Sequence, residues 1–169
     1  VIYAEARWAP QQHLTGGLSA AEAVEAVQVG LVDGMESASL SGTTIIARQI
    51  LCLMRHLDVP EDVVDLAVNH APGVVGVDVA GPEDGFPLAP FTNALTRVQA
   101  AGIHLTVHAG EAAGPESILD ALNHGAERLG HGVRIIEDRD ESGWGPTAQQ
   151  VLSNQVPLEV CPTSNTQTG

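Results

Sequence analysis

Lysine is absent. All seven basic side chains are arginines, set against 21 Asp and Glu in 169 residues, for a net charge of −14. A surface with that balance repels polyanions, which argues against nucleic-acid binding. Cysteine is scarce, with only Cys52 and Cys161, so there is neither a disulfide framework nor a zinc knuckle. Both lie in apolar runs, ILCLM and LEVCP, and read as small core hydrophobes in a reducing, cytoplasmic setting. Aromatics make up 3% of the chain. Its apolar runs fall far short of the ~18 residues that cross a bilayer, which excludes a helical membrane span. No phosphate-binding G-x-x-x-x-G-K-[ST], nucleophile-elbow G-x-S-x-G or metalloprotease H-E-x-x-H is present, and VGVDVAG lacks the glycine spacing of a dinucleotide fingerprint. The chain opens on Val1, inside a strand pattern, rather than on methionine.

What is present is a globular α/β pattern. The apolar fraction is 44%, and 169 residues suit one domain of average size. A complete eight-fold α/β barrel takes roughly 200 to 250 residues or more. Strand signals fall at Val1–Arg7, within Thr43–Arg55, at Val74–Val79 and Ile103–Val107, within Arg128–Ile136 and at Leu158–Cys161. Helical spacing fills Ala20 to about Met35, Pro60–Asn69, Leu88–Ala101, Pro115–His124 and Thr147–Asn154, and Ser19 with Glu22 forms a capping box ahead of the first. The polar stretch Glu137–Pro146 reads as a surface loop. Six strands separated by helices predict a parallel sheet with helices outside it.

The most informative string is VHAGE, Val107 to Glu111. It places an imidazole and a carboxylate three residues apart at the end of an apolar strand, where parallel α/β enzymes keep their chemistry. His108 is a candidate zinc ligand, since a neutral imidazole at a strand tip binds Zn²⁺ well. Glu111 is a candidate proton carrier, because a partly buried carboxylic acid of raised pKa can both give and take a proton. RLGHG places His131 between two glycines that let backbone approach a cavity closely. Gly81 ends VDVAG, and Asp78 within that strand reads as structural, bonding neighbouring backbone. Phe86, Pro87 and Phe91 could form an apolar flap or core packing; Ser164 and Asn165 could support the ligands. His13, His56, His70, His104 and His124 fall in loops, helices or mid-strand and read as structural.

VIYAEARWAP, VDVAG, VHAGE, LGHGVRI and LEVCPTSN occur in this order and spacing, and together the chain resembles the adenosine deaminase family of metal-dependent barrel hydrolases. The resemblance spans essentially the whole chain. It implies a partial (β/α)8 TIM-type barrel with about six of eight parallel strands, in one incomplete domain over residues 1–169. The family's early His-x-His strand and late Asp-Asp strand have no match, so the chain resembles the middle of such an enzyme and is expected to be inactive by itself. The resemblance implies Zn²⁺ as cofactor, with His108 as a ligand and Glu111 protonating N1 of the purine. His131 would lie beside the metal-bound water, and Gly81 would offer its N–H to a ring nitrogen. The implied partner is a small-molecule purine nucleoside, with neither nucleic acid nor membrane. The implied reaction is hydrolytic deamination of adenosine, and of 2'-deoxyadenosine, to inosine and ammonia. Deamination of free adenine or a modified adenosine is the second reading, and a non-catalytic truncated fragment the third.

Overall fold

Alternating strands and helices build one parallel sheet. The computed structural model describes residues 1–58 and 60–168. Its strands are β1 (Tyr3–Trp8), β2 (Ile46–Met54), β3 (Val74–Ala80), β4 (His104–Ala109), β5 (Arg128–His131), a short antiparallel hairpin of β6 (Arg139–Asp140) with β7 (Gly143–Trp144), and β8 (Leu158–Glu159). The helices are α1 (Ala20–Leu40), α2 (Pro60–Asn69), α3 (Thr92–Ala100), α4 (Pro115–Asn123), α5 (Pro146–Ser153) and α6 (Pro162–Thr168). Six strands pair in the order β1-β2-β3-β4-β5-β8, every pair parallel. No described helix is long and apolar enough to cross a membrane.

The sheet is curled into a half-barrel. In a flat sheet, five strand spacings would separate β1 from β8 by roughly 24 Å. Instead Arg7 on β1 reaches Glu159 on β8 at 2.6 Å, and Arg128 on β5 reaches Glu5 on β1 at 2.8 Å. The two faces carry different chemistry. Leu51, Leu53, Val77, Val79, Leu105, Val107 and Leu129 point outward and share one core with Val24, Val64, Leu95, Val98 and Ile118 of the helices. The concave face is polar: Cys52, Asp78, Thr106 and Arg128 occupy one register row, and His108, Gly130 and Glu159 the next.

Local sequence explains most element bounds. The capping box ahead of α1 forms as expected: Ser19 Oγ accepts from the Glu22 N–H at 3.2 Å, and Glu22 accepts from the Ser19 N–H at 2.8 Å. The helix runs through Gly30 and Gly34 and past Met35 to Leu40, and the chain turns at Gly42, at φ +78°. β5 is shorter than expected. Gly132, at φ +67°, bends the chain so that Val133–Glu137 coil into a 3-10 turn. β8 is only two residues, since Pro162 opens α6, a helix the apolar pattern did not signal. The expected loop at 137–146 holds the β6–β7 hairpin. Phe91 is core, not flap, and Phe86 is partly exposed. His104 begins β4 rather than lying mid-strand, and pairs with Glu127 at 2.7 Å.

Among the described residues, β1 pairs on one side only, with β2, and β8 only with β5. Beside β8 lies an apolar groove of about 510 Å³ lined by Ile135, Trp144, Val151, Leu152, Val156 and Leu158. Beside β1, Ala6, Trp8, Leu18, Ala23 and Val27 line another of about 460 Å³. Open strand edges flanked by apolar surface recruit further chains. The purified 169-residue chain is therefore expected to self-associate, with size-exclusion chromatography showing mass beyond the monomer. A monodisperse monomer that melts cooperatively would contradict this.

Candidate active site

Site residues gather where the strands end. His108 is the penultimate residue of β4, and its Nδ1 is 3.0 Å from the Asp78 carboxylate on the neighbouring strand. Asp78 is 0% exposed, so its charge must be met inside the protein. Arg7 meets it at 3.1 Å while also binding Glu159. A carboxylate at Nδ1 fixes the imidazole with its proton on that nitrogen, leaving Nε2 as the metal-binding atom. Gly130 sits directly against the ring: a Cβ there would meet His108 Nδ1 at 2.9 Å. That glycine is required by the approach of the imidazole, not by its own backbone angles.

The second half of the site comes from β5 and α6. The His131 and His108 rings lie edge to face, with centroids 5.0 Å apart. Asn165 accepts from the Cys161 N–H through Oδ1 at 3.2 Å and turns its amide nitrogen to His131 Nδ1 at 2.8 Å. Nδ1 is then the acceptor, and the proton sits on Nε2, which faces the Glu111 carboxylate at 3.4 Å. Ser164 Oγ donates to the other Glu111 oxygen at 3.3 Å. His131 is held at φ +66°, a left-handed conformation costing about 1–3 kcal/mol for a residue with a side chain. The constraint aims the ring into the cluster instead of along the strand.

Of the four residues singled out from the sequence, His108, Glu111 and His131 thus come together. Gly81 takes φ +91° at the end of β3, and its neighbours are Met54, Arg55 and His56. Among the described residues no group of three or more His, Cys, Asp or Glu could hold a metal ion. What the chain offers a metal is one imidazole already oriented by a carboxylate, a fit for one ligand of a larger set. Cys52 is no ligand candidate: burial, with the Asp78 charge beside it, pushes its thiol up to about 12.

Asp78 is a correction. It bonds two side chains, His108 and Arg7, rather than neighbouring backbone. The signal was available, since a lone acid in the apolar strand VVGVDVA needs a partner when buried. Glu83 and Arg55 had no such signal. Glu83 stands in GPEDG, which reads as a polar turn, yet it is 7% exposed and accepts four backbone N–H groups from Gly110 to Ala113. Burial by itself would raise the Glu83 carboxyl, but hydrogen bonds from Ser117 and the Ala113, Ala112 and Gly110 amides hold it below its ordinary value.

A depressed carboxyl contributes stability that is complete above its unfolded pKa and lost as pH falls through the lower folded one. Acid titration of stability is therefore expected to show a loss beginning below about pH 4.5 that flattens in Glu83→Gln. An identical acid slope in the variant would contradict it. Gly130→Ala is expected to push the His108 ring off Asp78 and to lower stability by about 1–3 kcal/mol. The imidazole N–H proton resonance reports the first effect and denaturant unfolding the second; a variant that keeps both unchanged would count against the packing described.

A family model and three known proteins bear on the fold and the family. The family model described as adenosine deaminase matches residues 1–169. An adenosine deaminase of Mycolicibacterium gilvum is 43% identical over 176 residues, spanning 100% of this chain and 49% of that relative. The N6-mAMP deaminase of Arabidopsis superposes with a TM-score of 0.82 at 28% identity, covering 99% of this chain and 49% of that one. An amidohydrolase from Burkholderia ambifaria, solved with bound zinc, superposes with a TM-score of 0.79 at 26% identity, covering 98% and 44%. The chain spans about half the length of the curated relatives it matches. With a family match over its full length and a half-barrel whose strand ends gather His108, Glu111 and His131, this chain belongs to the adenosine deaminase family.

Proposed function

We propose that this chain carries the proton-transfer side of a zinc-dependent deaminase site, acting on adenosine and 2'-deoxyadenosine. The observation that carries the reading is one cluster at the strand ends. It joins an imidazole fixed by Asp78 to a second imidazole at 5.0 Å and a carboxylate 3.4 Å from that second ring. His108 Nε2 would hold zinc together with ligands outside these 169 residues, and zinc when bound would supply a water far more acidic than free water.

The chain's own residues do the rest. Glu111 gives a proton to N1 of the purine, which makes C6 electrophilic, takes one back from the attacking water and passes it to the departing amine; the proton left on the added hydroxyl returns to Glu111 as the carbonyl forms. Water adds at C6, the C6–N bond breaks, and inosine and ammonia result. His131, with its proton on Nε2, stabilises charge on the attacking oxygen. Gly81 offers its backbone N–H to a ring nitrogen, and its lack of a side chain lets a flat base approach. A net charge of −14 disfavours a phosphorylated substrate and favours the neutral nucleoside. That charge balance supports the nucleoside reading over a nucleotide of the N6-mAMP kind. Two free cysteines suit a cytoplasmic protein.

Three variants of the intact encoded protein test the roles. Glu111→Gln is expected to keep zinc and lose turnover of adenosine by about 10²–10⁴-fold. His108→Ala is expected to lose stoichiometric zinc, whereas His131→Ala keeps zinc and loses rate. Elemental analysis and a coupled ammonia assay read both. Equal zinc in the two histidine variants, or Glu111→Gln at more than half of wild-type turnover, would remove the assignments.

A further inference from the structure

We propose that Glu83 is the positioning residue for Glu111, an internal anion around which the catalytic loop is wound; the inference rests on the deaminase reading above. Residues 110–114 belong to neither β4 nor α4. A segment of that kind needs its backbone groups satisfied from elsewhere. Glu83 does this for four consecutive amides: Oε1 accepts from Gly110 at 2.6 Å, and Oε2 accepts from Glu111, Ala112 and Ala113 at 3.0, 2.7 and 3.0 Å. Successive N–H groups that converge on one point form an anion-binding nest, and here the anion is built in. Gly110, at φ +69°, turns the chain into that concavity; a Cβ on it would strike Ile118 Cδ1 at 2.5 Å.

Two carbonyls of the segment are held by Arg134. Arg134 donates its backbone N–H to the Gly110 carbonyl and its side chain to the Ala112 carbonyl, both at 2.9 Å. Arg55, 6% exposed, donates to the His108 carbonyl at 2.8 Å and to the Phe86 carbonyl at 2.5 Å, tying the Glu83 loop to the same strand end. The root of the Glu111 side chain is therefore set by charge-assisted bonds from outside its own element. Its carboxyl meets His131 and Ser164 only while the root stays there. A displacement of about 1 Å at a reacting group can cost about 10²-fold in rate. Glutamine at position 83 keeps one acceptor oxygen and turns an NH₂ toward the amides it should receive from. Aspartate keeps the charge one methylene short.

The test compares wild type, Glu83→Gln and Glu83→Asp in the intact encoded protein, with amide hydrogen exchange and adenosine turnover measured on each. Glu83→Gln is expected to raise exchange at residues 110–113 by at least about tenfold while β3 and β4 amides stay within about twofold. It is expected to lower kcat by about 10–100-fold with KM for adenosine within about threefold. Glu83→Asp is expected to fall between wild type and Glu83→Gln in both. Unchanged exchange at 110–113, or a rise spread equally over β3 and β4, overturns the proposal. So does a loss confined to KM. If Glu83→Gln does not fold, Glu83→Asp decides by the same two readings, and unchanged loop exchange with unchanged kcat overturns the proposal. If the wild-type protein does not turn over adenosine, the deaminase reading fails while the exchange measurement still decides whether Glu83 holds the loop.

Discussion

Asp78 is a carboxylate with no exposed surface, in the middle of a sheet. An unpaired charge there would cost several kcal/mol. Its partners come from both directions: Arg7 from the first strand and the His108 imidazole from the next strand over. Arg7 in turn holds Glu159, and Arg128 holds Glu5, Glu159 and Thr106. The concave face of the half-barrel is thus a lattice of charges in which each member is met by others. One end of that lattice is the imidazole that faces the proposed metal. Orientation of the candidate ligand and satisfaction of a buried charge are the same set of hydrogen bonds.

The two sheet faces divide the labour. Outward residues pack under the helices and supply the apolar burial that holds the fold. Inward residues contribute little apolar burial and serve geometry instead. Small residues recur where side chains come close: Gly130 lies against the His108 ring, and Gly132 leaves room for Leu158, which a Cβ would meet at 2.9 Å. The left-handed backbone at His131 belongs to the same pattern, since a locally unfavourable conformation persists where surrounding bonds to Asn165 and Glu111 determine it.

Much of this was legible in the chain itself. The alternation of apolar runs and helical spacing pointed to the parallel sheet, because outward strand faces and inner helix faces obey simple periods. His108, Glu111 and His131 stood out because they occur at strand ends among glycines. The strand lengths of β5 and β8 were less legible: apolar residues run on past the left-handed Gly132, and Val160 and Cys161 extend the apolar run between the end of β8 and Pro162. Partnerships were least legible. Asp78 and Glu83 look like a structural acid and a turn acid, Arg55 is only the end of a strand stretch, and their roles depend on what lies opposite them across neighbouring strands. Periodicity records which face a residue takes. It does not record who waits on the other strand.

The bonds that close the lattice join residues very far apart in sequence, Arg7 with Glu159 across 152 positions and Arg128 with Glu5 across 123. Non-local pairings of this kind are formed late, after the entropy of closing the loop has been met. A chain leaving the ribosome exposes β1 and its Arg7 long before Glu159 has been synthesised. During that interval the early strands have their helices but not their ionic partners. The geometry that completes the site is therefore assembled last.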